Sequence, residues 1–227
     1  MANIISIDAS AVGCSVALLT DGQVLAKIEN TEEKSAATFL TTYIEQVCTE
    51  AKLQYSDIDA VAVAKGPGSY TGLRVAVSTA KGLAMAINKP LLSYDTLDAI
   101  YSQVMNLVFD YICPMLDARR AEVYCKIIKT ITQEIVSPTE AVIVDDAYFN
   151  AILEQGTVLF VGEGSEKCKA LITHPNARFS EDKIGTQSWH AVDVLFKKYT
   201  NGEFEDLESF EPFYLKEYMF KQKKVEG

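Results

Sequence analysis

The chain has 227 residues, of which 48% are hydrophobic, and its formal net charge is −10. This length and apolar content suffice to bury a core and suit one or two small domains. The acidic balance argues against a protein that grips nucleic acid alone, because neutralising phosphates requires clustered lysines and arginines. The nearest basic cluster is Lys216, Lys221, Lys223 and Lys224, which we interpret as a solvated helix end.

The cysteines and the hydropathy pattern indicate a cellular compartment. Five cysteines are scattered along the chain without a Cys-x-x-Cys pair, which is typical of reduced thiols in a cytosolic protein. The first residues lack the positive flank and long apolar run of a signal peptide, and no stretch is long enough to span a membrane. We therefore expect a soluble, cytoplasmic protein.

The first half of the chain predicts three strands, a helix, a strand, a helix, a strand and a helix. Alternating and continuous apolar runs indicate strands, and apolar residues at helical spacing indicate helices. Asp21 and Gly22 predict a hairpin turn between the second and third strands, and Asp95 is a candidate cap for the last helix. The predicted strands are 4–9, 14–19, 24–29, 60–64 and 91–92, and the predicted helices are 39–51, 73–87 and 97–108.

The second half repeats this order. Its predicted strands are 111–116, 122–128, 131–136, 158–161 and a weak one at 178–179, and its predicted helices are 145–155, one after Gly162, and 189–199. A strand-end aspartate and a glycine turn occupy matching places in both halves. The repeat predicts a duplicated α/β fold with domains 1–108 and 109–227 facing each other across a cleft, and residues 187–227 packing back onto the first domain.

The turn at residues 66–72, Gly-Pro-Gly-Ser-Tyr-Thr-Gly, joins a buried strand to a helix. It matches neither the P-loop nor the dinucleotide fingerprint. Backbone N–H groups at such a helix start can hold a phosphate or a carboxylate. The structural alternative is a tight turn in which Ser69 or Thr71 caps the helix, worth about 1 kcal/mol. We favour the structural or interface use.

The helix at 73–87 carries two charges, Arg74 and Lys81, and is apolar over most of its circumference. Such a helix is either central in a large core or covered by a partner. A chain of this size has difficulty burying a whole helix on all sides, so we favour a partner surface over an internal core.

The strand-end aspartates are candidates for positioning a metal-bound phosphate, although a lone strand-end aspartate is more often a turn or cap residue. The weak candidates for nucleotide or anion binding are Asp8, Ser10, Gly66, Gly68, Ser69, Asp117, Gly162 and Gly164. The chain has two histidines, His174 and His190, and lacks zinc-hydrolase and nucleophile-elbow motifs. We therefore identify no catalytic residue and no metal site.

Several segments resemble the bacterial TsaB (YeaZ) family. They are residues 4–10, 14–18, 80–84, 114–124 and 212–215, and above all 64–74, Ala-Lys-Gly-Pro-Gly-Ser-Tyr-Thr-Gly-Leu-Arg. The resemblance implies a duplicated fold of the actin/Hsp70/sugar-kinase type. It also implies a non-catalytic role in making N6-threonylcarbamoyladenosine (t6A) in tRNA, beside a metal-bearing paralogue, TsaD, that transfers the threonylcarbamoyl group.

The resemblance further implies partners and an interface. TsaB binds TsaD through the helices corresponding to 35–51 and 73–87 and supports an assembly with the ATPase TsaE. The implied interface residues are Phe39, Leu40, Tyr43, Leu73, Arg74, Val77, Ala80, Lys81 and Ala84. We expect a homodimer in isolation, indirect contact with tRNA, no membrane, and no cofactor required by the chain alone, with ATP or ADP at the heterodimer interface.

One departure and two alternatives remain. Relatives often carry a histidine at the start of the first long helix, where this chain reads Lys34-Ser35-Ala36-Ala37. A small ATP-binding or ATP-hydrolysing enzyme of the same fold is the main alternative. A metallopeptidase, suggested by an old glycoprotease label on some relatives, is disfavoured because the metal motifs are missing.

Overall fold

The computed structural model of the chain describes residues 2–145 and 147–215, so the basic segment from Lys216 to Lys224 lies outside the described residues. The first half follows the predicted order of elements. Its strands are β1 Asn3–Asp8, β2 Cys14–Thr20, β3 Gln23–Asn30, β4 Ala60–Gly66 and β5 Leu91–Asp95, and its helices are α1 Ser35–Ala51, α2 Tyr70–Ile87 and α3 Thr96–Ser102.

The second half repeats the same order. Its strands are β6 Tyr111–Asp117, β7 Glu122–Lys129, β8 Glu134–Ile143, β9 Val158–Val161 and β10 Ala177–Phe179, and its helices are α4 Asn150–Leu153, α5 Glu163–Glu166 and α6 Val192–Asn201. A 3₁₀ turn at Ser188–Ala191 leads into α6.

Each half forms a five-stranded sheet with the same topology, β3-β2-β1-β4-β5 in the first and β8-β7-β6-β9-β10 in the second. In both sheets three antiparallel strands are followed by two strands that lie parallel to the first. The predicted duplicated α/β fold is confirmed. Because β1 and β4 are parallel, the loops that follow them meet at one edge of the sheet.

Each sheet is covered on both faces by helices, and the two halves exchange one helix. Helices α1 and α2 cover one face of the first sheet, while Leu195 of α6 packs on the other face with Ile4 and Tyr94. In the second sheet α4 and α5 cover one face, and Ile100 of α3 packs on the other with Ile112. The last helix of each half therefore contributes to the core of the other half.

Most elements differ from prediction by a few residues, and three differences have a clear local cause. The helix predicted at 97–108 ends at Ser102, and the chain continues in turns to Val108, which is 98% exposed. The strand predicted at 131–136 starts at Glu134, because a turn with left-handed backbone at Gln133 precedes it. The helix predicted at 145–155 shrinks to Asn150–Leu153, since the Asp145 carboxylate holds a preceding turn.

The five cysteines, Cys14, Cys48, Cys113, Cys125 and Cys168, are buried and free. All lie in the apolar cores, where burial raises the pKa of the Cys14, Cys48, Cys113 and Cys168 thiols. These thiols are therefore packing groups with little thiolate character at neutral pH.

Candidate functional site

Asp8 ends β1, where the sequence predicts a ligand site. The residue is 2% exposed. Its carboxylate accepts hydrogen bonds from the Ser10 amide at 2.8 Å, the Ser10 hydroxyl at 2.6 Å and the Tyr94 hydroxyl at 3.0 Å. Donors from the chain itself thus use the oxygens that a bound cation would need.

Burial also decides the protonation of Asp8. Desolvation raises its pKa to about 6, and the hydrogen bonds from Ser10 and Tyr94 oppose that shift without cancelling it. The Tyr94 hydroxyl is buried as well, and desolvation together with the Asp8 charge raises its pKa well above the usual value. Asp8 therefore acts as a buried acceptor in a closed network rather than as an exposed anion.

The glycine turn before α2 packs against the loop that follows Asp8. The Ser69 amide donates to the Ser10 carbonyl at 2.6 Å. A Cβ at Gly68 would lie 2.2 Å from that same oxygen, so glycine is required for the close backbone approach. The Ser69 hydroxyl accepts from the Gly72 amide at 3.3 Å and caps α2, as the structural interpretation of this turn predicts.

This arrangement corrects the anion-site prediction for the first half. The Ser10 carbonyl stands where an anion would meet the Ser69 amide, and a carbonyl oxygen repels an anion. Gly66 faces the other way, toward the Phe213 carbonyl, 2.8 Å from where a Cβ would lie. Ser10, Gly66, Gly68 and Ser69 therefore form a packed backbone junction and not an open phosphate cradle.

Asp117 and the second glycine turn are likewise engaged. The Asp117 carboxylate lies 2.5 Å from the Lys167 ammonium and accepts from the Arg119 amide at 2.7 Å. Desolvation alone would raise the pKa of Asp117, but Lys167 and the Arg119 amide outweigh it and the pKa is lowered. A Cβ at Gly162 would lie 2.4 Å from the Met115 carbonyl oxygen, so this turn packs on β6.

Gly164 completes this second junction. A Cβ there would lie 2.6 Å from the Leu116 backbone. Both halves thus use glycines to bring a strand-to-helix turn into close backbone contact, with the loop after β1 in the first half and with β6 itself in the second. Gly162 and Gly164 pack against β6 and Asp117 pairs with Lys167, so these three residues do not form an open anion site.

A small cleft beside Asp8 separates the halves. Its volume is about 130 Å³, below the roughly 300–1,000 Å³ of usual small-molecule sites. Asp8, Glu29 and Glu163 line it together with Thr186 and Gln187 from the second half. Burial and the nearby Asp117 charge raise the pKa of Glu163. The cleft is therefore acidic and too narrow for a nucleotide.

The described segments, residues 2–145 and 147–215, contain neither a metal-ligand cluster nor a helix able to cross a membrane. Among them, no three His, Cys, Asp or Glu side chains are grouped so that they could hold a metal ion. None of the helices in these two segments combines the length and the apolar character needed to cross a membrane.

Much of the predicted partner surface on α2 faces inward. Leu73, Val77, Ala80 and Ala84 are at most 3% exposed and pack on the first sheet. Leu40 of α1 is buried in the same core. Their burial within the chain disfavours direct contact of these five side chains with a partner, because a small α/β layer does bury one complete face of α2, and the interface they were assigned to stays a prediction. The remaining predicted contacts are distributed differently.

Phe39 and Arg74 are exposed, whereas Tyr43 is half-buried and Lys81 is engaged. The Phe39 and Tyr43 rings stack with centroids 5.7 Å apart on α1. Lys81 donates to main-chain carbonyls near the C-terminal end of the described chain. Phe39, Tyr43 and Arg74 thus remain available for a partner, with Tyr43 presenting one edge.

The face of α2 opposite the sheet carries residues that the sequence analysis did not select. We call Ser78, Gly82, Met85 and Ala86, all of them exposed, the outer face of α2. Met85 is 67% exposed. Once the buried residues of α2 are known, helical spacing identifies the opposite, exposed face. The sequence alone does not show which face is exposed, because α2 has small apolar residues on both sides.

The chain is similar in sequence to proteins of tRNA threonylcarbamoyladenosine formation. The family model for tRNA N6-adenosine threonylcarbamoyltransferase, TsaD, matches residues 23–216. The tRNA threonylcarbamoyladenosine biosynthesis protein TsaB of Bacillus subtilis strain 168 is 29% identical over 189 residues, which cover 82% of this chain and 78% of that protein. TsaB of Escherichia coli K12 is 32% identical over 122 residues, 53% of this chain and 52% of that protein.

The chain belongs to the TsaB (YeaZ) family. Solved structures agree in fold across almost the whole TsaB-like chain. YeaZ from Pseudomonas aeruginosa matches with a TM-score of 0.78 at 23% identity, covering 95% of this chain and all of that one. A second Pseudomonas aeruginosa structure, an uncharacterized protein with similarity to peptidase YEAZ, gives a TM-score of 0.82 at 22% identity with the same coverage.

The actin-like character of the TsaB fold also extends to a more distant structure. The activator of 2-hydroxyisocaproyl-CoA dehydratase from Clostridium difficile matches with a TM-score of 0.50 at 11% identity over 90% of this chain. At such identity the likeness concerns the fold. The family assignment therefore places this chain among the t6A biosynthesis proteins. Its role within that process is argued below from the geometry of its surfaces and sites.

Proposed function

We propose that this TsaB family member is a non-catalytic partner subunit in t6A formation. It binds a TsaD-like paralogue through α1 and the outer face of α2. The observation that carries the proposal is the outer face itself. There Met85 is 67% exposed, and the exposed Gly82 lies well inside the length of the helix, away from its ends. Neither residue packs in the cores of the described chain.

Gly82 supports close approach by a neighbour. Among the described residues, no atom lies within 4 Å of the place where its Cβ would be. A glycine inside a helix costs about 0.5–1 kcal/mol relative to alanine, so the fold of the chain alone does not favour it. A flat strip beside an exposed methionine suits the backbone of another helix.

The engaged aspartates support the non-catalytic role. Asp8 accepts three hydrogen bonds from Ser10 and Tyr94, and Asp117 is paired with Lys167. The cleft beside Asp8 has a volume of about 130 Å³ and carries acidic groups. An ATP-hydrolysing enzyme, the alternative, needs a wider cleft than this.

Relatives of both kinds support a paralogous partner. The chain matches TsaB proteins and also the tRNA N6-adenosine threonylcarbamoyltransferase of Borrelia hermsii, at 30% identity over 124 residues that cover 48% of this chain and 37% of that protein. Two chains of common descent can pair equivalent helix faces in a pseudo-symmetric dimer. In isolation, the same face would pair two copies of this chain.

We further propose a wider assembly, as expected for a member of this family. A TsaE-like ATPase joins the pair, and ATP or ADP lodges at the heterodimer interface rather than in the narrow cleft. With a net charge of −10, the chain leaves most tRNA contacts to the paralogue. The protein works in the cytoplasm, where its tRNA substrates are.

A Met85→Glu variant tests the proposed surface. A charge on the outer face would be buried against the paralogue, so affinity should fall by about tenfold or more. Ile131→Glu is the matched control, because Ile131 is 86% exposed on the second half. Affinity is measured by titration calorimetry with the purified paralogue, and t6A content by mass spectrometry of tRNA. Equal binding by both variants would contradict the proposal.

A further inference from the structure

The last described residues cross the first half beside α2, and we call residues 205–215 the strap. The Glu205 amide donates to the Leu91 carbonyl at 2.8 Å, on the edge strand β5. The Phe213 amide donates to the Lys65 carbonyl at 2.7 Å, at the end of β4. Between these two anchors, Leu207 and Phe210 pack against the first core.

The middle of the strap is a preformed turn. The Asp206 carboxylate accepts from the Glu208 amide at 2.9 Å and the Ser209 amide at 2.8 Å, while the Phe210 amide donates to the Asp206 carbonyl at 2.9 Å. Hydrogen bonds from Ser209 lower the pKa of Asp206, so this cap is ionised at neutral pH. The turn directs its last carbonyls toward α2.

Lys81 of α2 donates hydrogen bonds to these carbonyls. Its ammonium donates to the Phe210 carbonyl at 2.9 Å and to the Glu208 carbonyl at 3.3 Å, across 129 and 127 residues of sequence. A cation at the carbonyl end of a turn is a favourable arrangement. Lys81 lies on the flank of the helix, between the buried position Val77 and the exposed Ser78.

The N-terminal end of α2 is held by the same strap. The Tyr214 ring packs on the Tyr70 ring with centroids 4.7 Å apart. The Phe213 carbonyl comes so close to Gly66 that a Cβ there would lie 2.8 Å away. The strap therefore contacts α2 from Tyr70 to Lys81, along the flank beside the outer face.

We infer that the strap fixes the position of α2 for docking, and that Lys81 is a positioning residue for the partner surface. This rests on the proposed function. The sheet holds α2 from below and α1 packs beside it, while the strap fixes the remaining flank. Docking needs a preorganised face, because ordering a helix during association reduces affinity. The sequence analysis placed Lys81 in direct contact with the partner, and its hydrogen bonds instead act within the chain.

Lys81→Met tests the inference, with Lys89→Met as the matched control. Lys89 follows α2 and pairs with Asp59 at 3.6 Å on the surface, so the control removes the same charge. Lys81→Met should raise amide exchange at residues 206–210 and weaken binding of the paralogue about tenfold, the scale of losing hydrogen bonds from a charged donor. Lys81→Arg should restore both, and Lys89→Met should change neither.

Ser78→Glu separates this inference from the proposed function. It should abolish binding while leaving exchange in the strap unchanged, since Ser78 lies on the outer face. If Lys81→Met loosens the strap but binds like the wild type, the positioning role is wrong and the docking surface stands. If Lys81→Met leaves strap exchange unchanged, the inference is also wrong. If the wild-type chain does not bind the paralogue, the proposed function fails and the inference fails with it.

Discussion

At the scale of single residues, the polar groups at the strand ends serve the fold. Asp8 accepts from Ser10 and Tyr94, and Asp117 is paired with Lys167. A buried carboxylate with several donors resembles a ligand site in sequence, because both require an acidic residue after an apolar strand. What distinguishes them is whether the chain itself supplies the donors.

Asp8→Asn gives a prediction with a definite sign. The folded pKa of about 6 lies above the ordinary aspartate value of 3.8, so the folded state holds the proton more tightly and the free energy of unfolding falls as pH rises between these values. The amide removes this loss, which is about 3 kcal/mol at 1.36 kcal/mol per pKa unit. At pH 7 the variant should therefore equal or exceed wild-type stability in urea unfolding.

Asp110→Asn is the control of opposite sign. Hydrogen bonds from Thr157 lower the pKa of Asp110, so its contribution is present above pH 3.8 and is lost as pH falls through the folded pKa. This variant should be less stable than wild type at pH 7. If Asp8→Asn is also less stable at pH 7, the interpretation of Asp8 as a desolvated acceptor is wrong.

At the scale of elements, α2 shows how one helix serves two surfaces. Ala76, Ala80 and Ala84 pack on the sheet, whereas Ala86 is exposed. The same residue type occurs on both sides, so hydrophobicity does not reveal which side faces the core. The side of α2 that faces the core is set by where the helix lies on the first sheet. Only substitutions on the other, exposed side can test partner binding without disturbing the core.

Ala80→Glu is expected to unfold the chain rather than to block docking alone. Ala80 is 0% exposed, and an unpaired carboxylate there costs more than about 3 kcal/mol. Ala86→Glu, the same change on the exposed side of the same helix, should alter stability by less than about 0.5 kcal/mol. Urea unfolding of both variants measures the difference, and similar midpoints would show that α2 is placed incorrectly.

At the scale of the whole molecule, the halves are joined by exchanged helices and a buried ion pair. Lys126 of β7 in the second half is 2% exposed. Its ammonium contacts the Asp98 carboxylate of α3 and lies 3.6 Å from Asp95 in the first half. Burial raises the pKa of Asp95 despite this cation. The cross-half contact thus depends on Lys126.

Lys126→Met should destabilise the chain strongly. Removing the cation leaves the Asp95 carboxylate, whose side chain is 15% exposed, without its partner. The Asp98 side chain is 41% exposed, so the cost should be about 3 kcal/mol, the lower end of the range for breaking a buried pair. Lys169→Met is the control, because Lys169 pairs with Glu166 at 2.8 Å on the surface, where a pair is worth at most about 1 kcal/mol. Equal urea midpoints for the two variants would contradict a structural role for Lys126.

Local patterns were sufficient for much of the fold. Apolar periodicity and turn residues such as Asp21 and Gly22 predict the order of elements in both halves, and the repeat of that order predicts the duplication. These signals act within a few residues of the chain. They failed where turns replace regular structure, as at Gln133 and after Ser102, because turn hydrogen bonds compete locally with the apolar pattern.

The sequence by itself determined the duplicated α/β fold and the family, and it limited the N-cap of α2 to Ser69 or Thr71, of which the structure shows Ser69. The tertiary structure alone decided which face of α2 is free, that Tyr94 donates to Asp8, and that Lys81 holds Phe210. These partners lie 86 and 129 residues apart. Periodicity carries no information over such distances, since the contacts exist only once separate elements have docked on a common core.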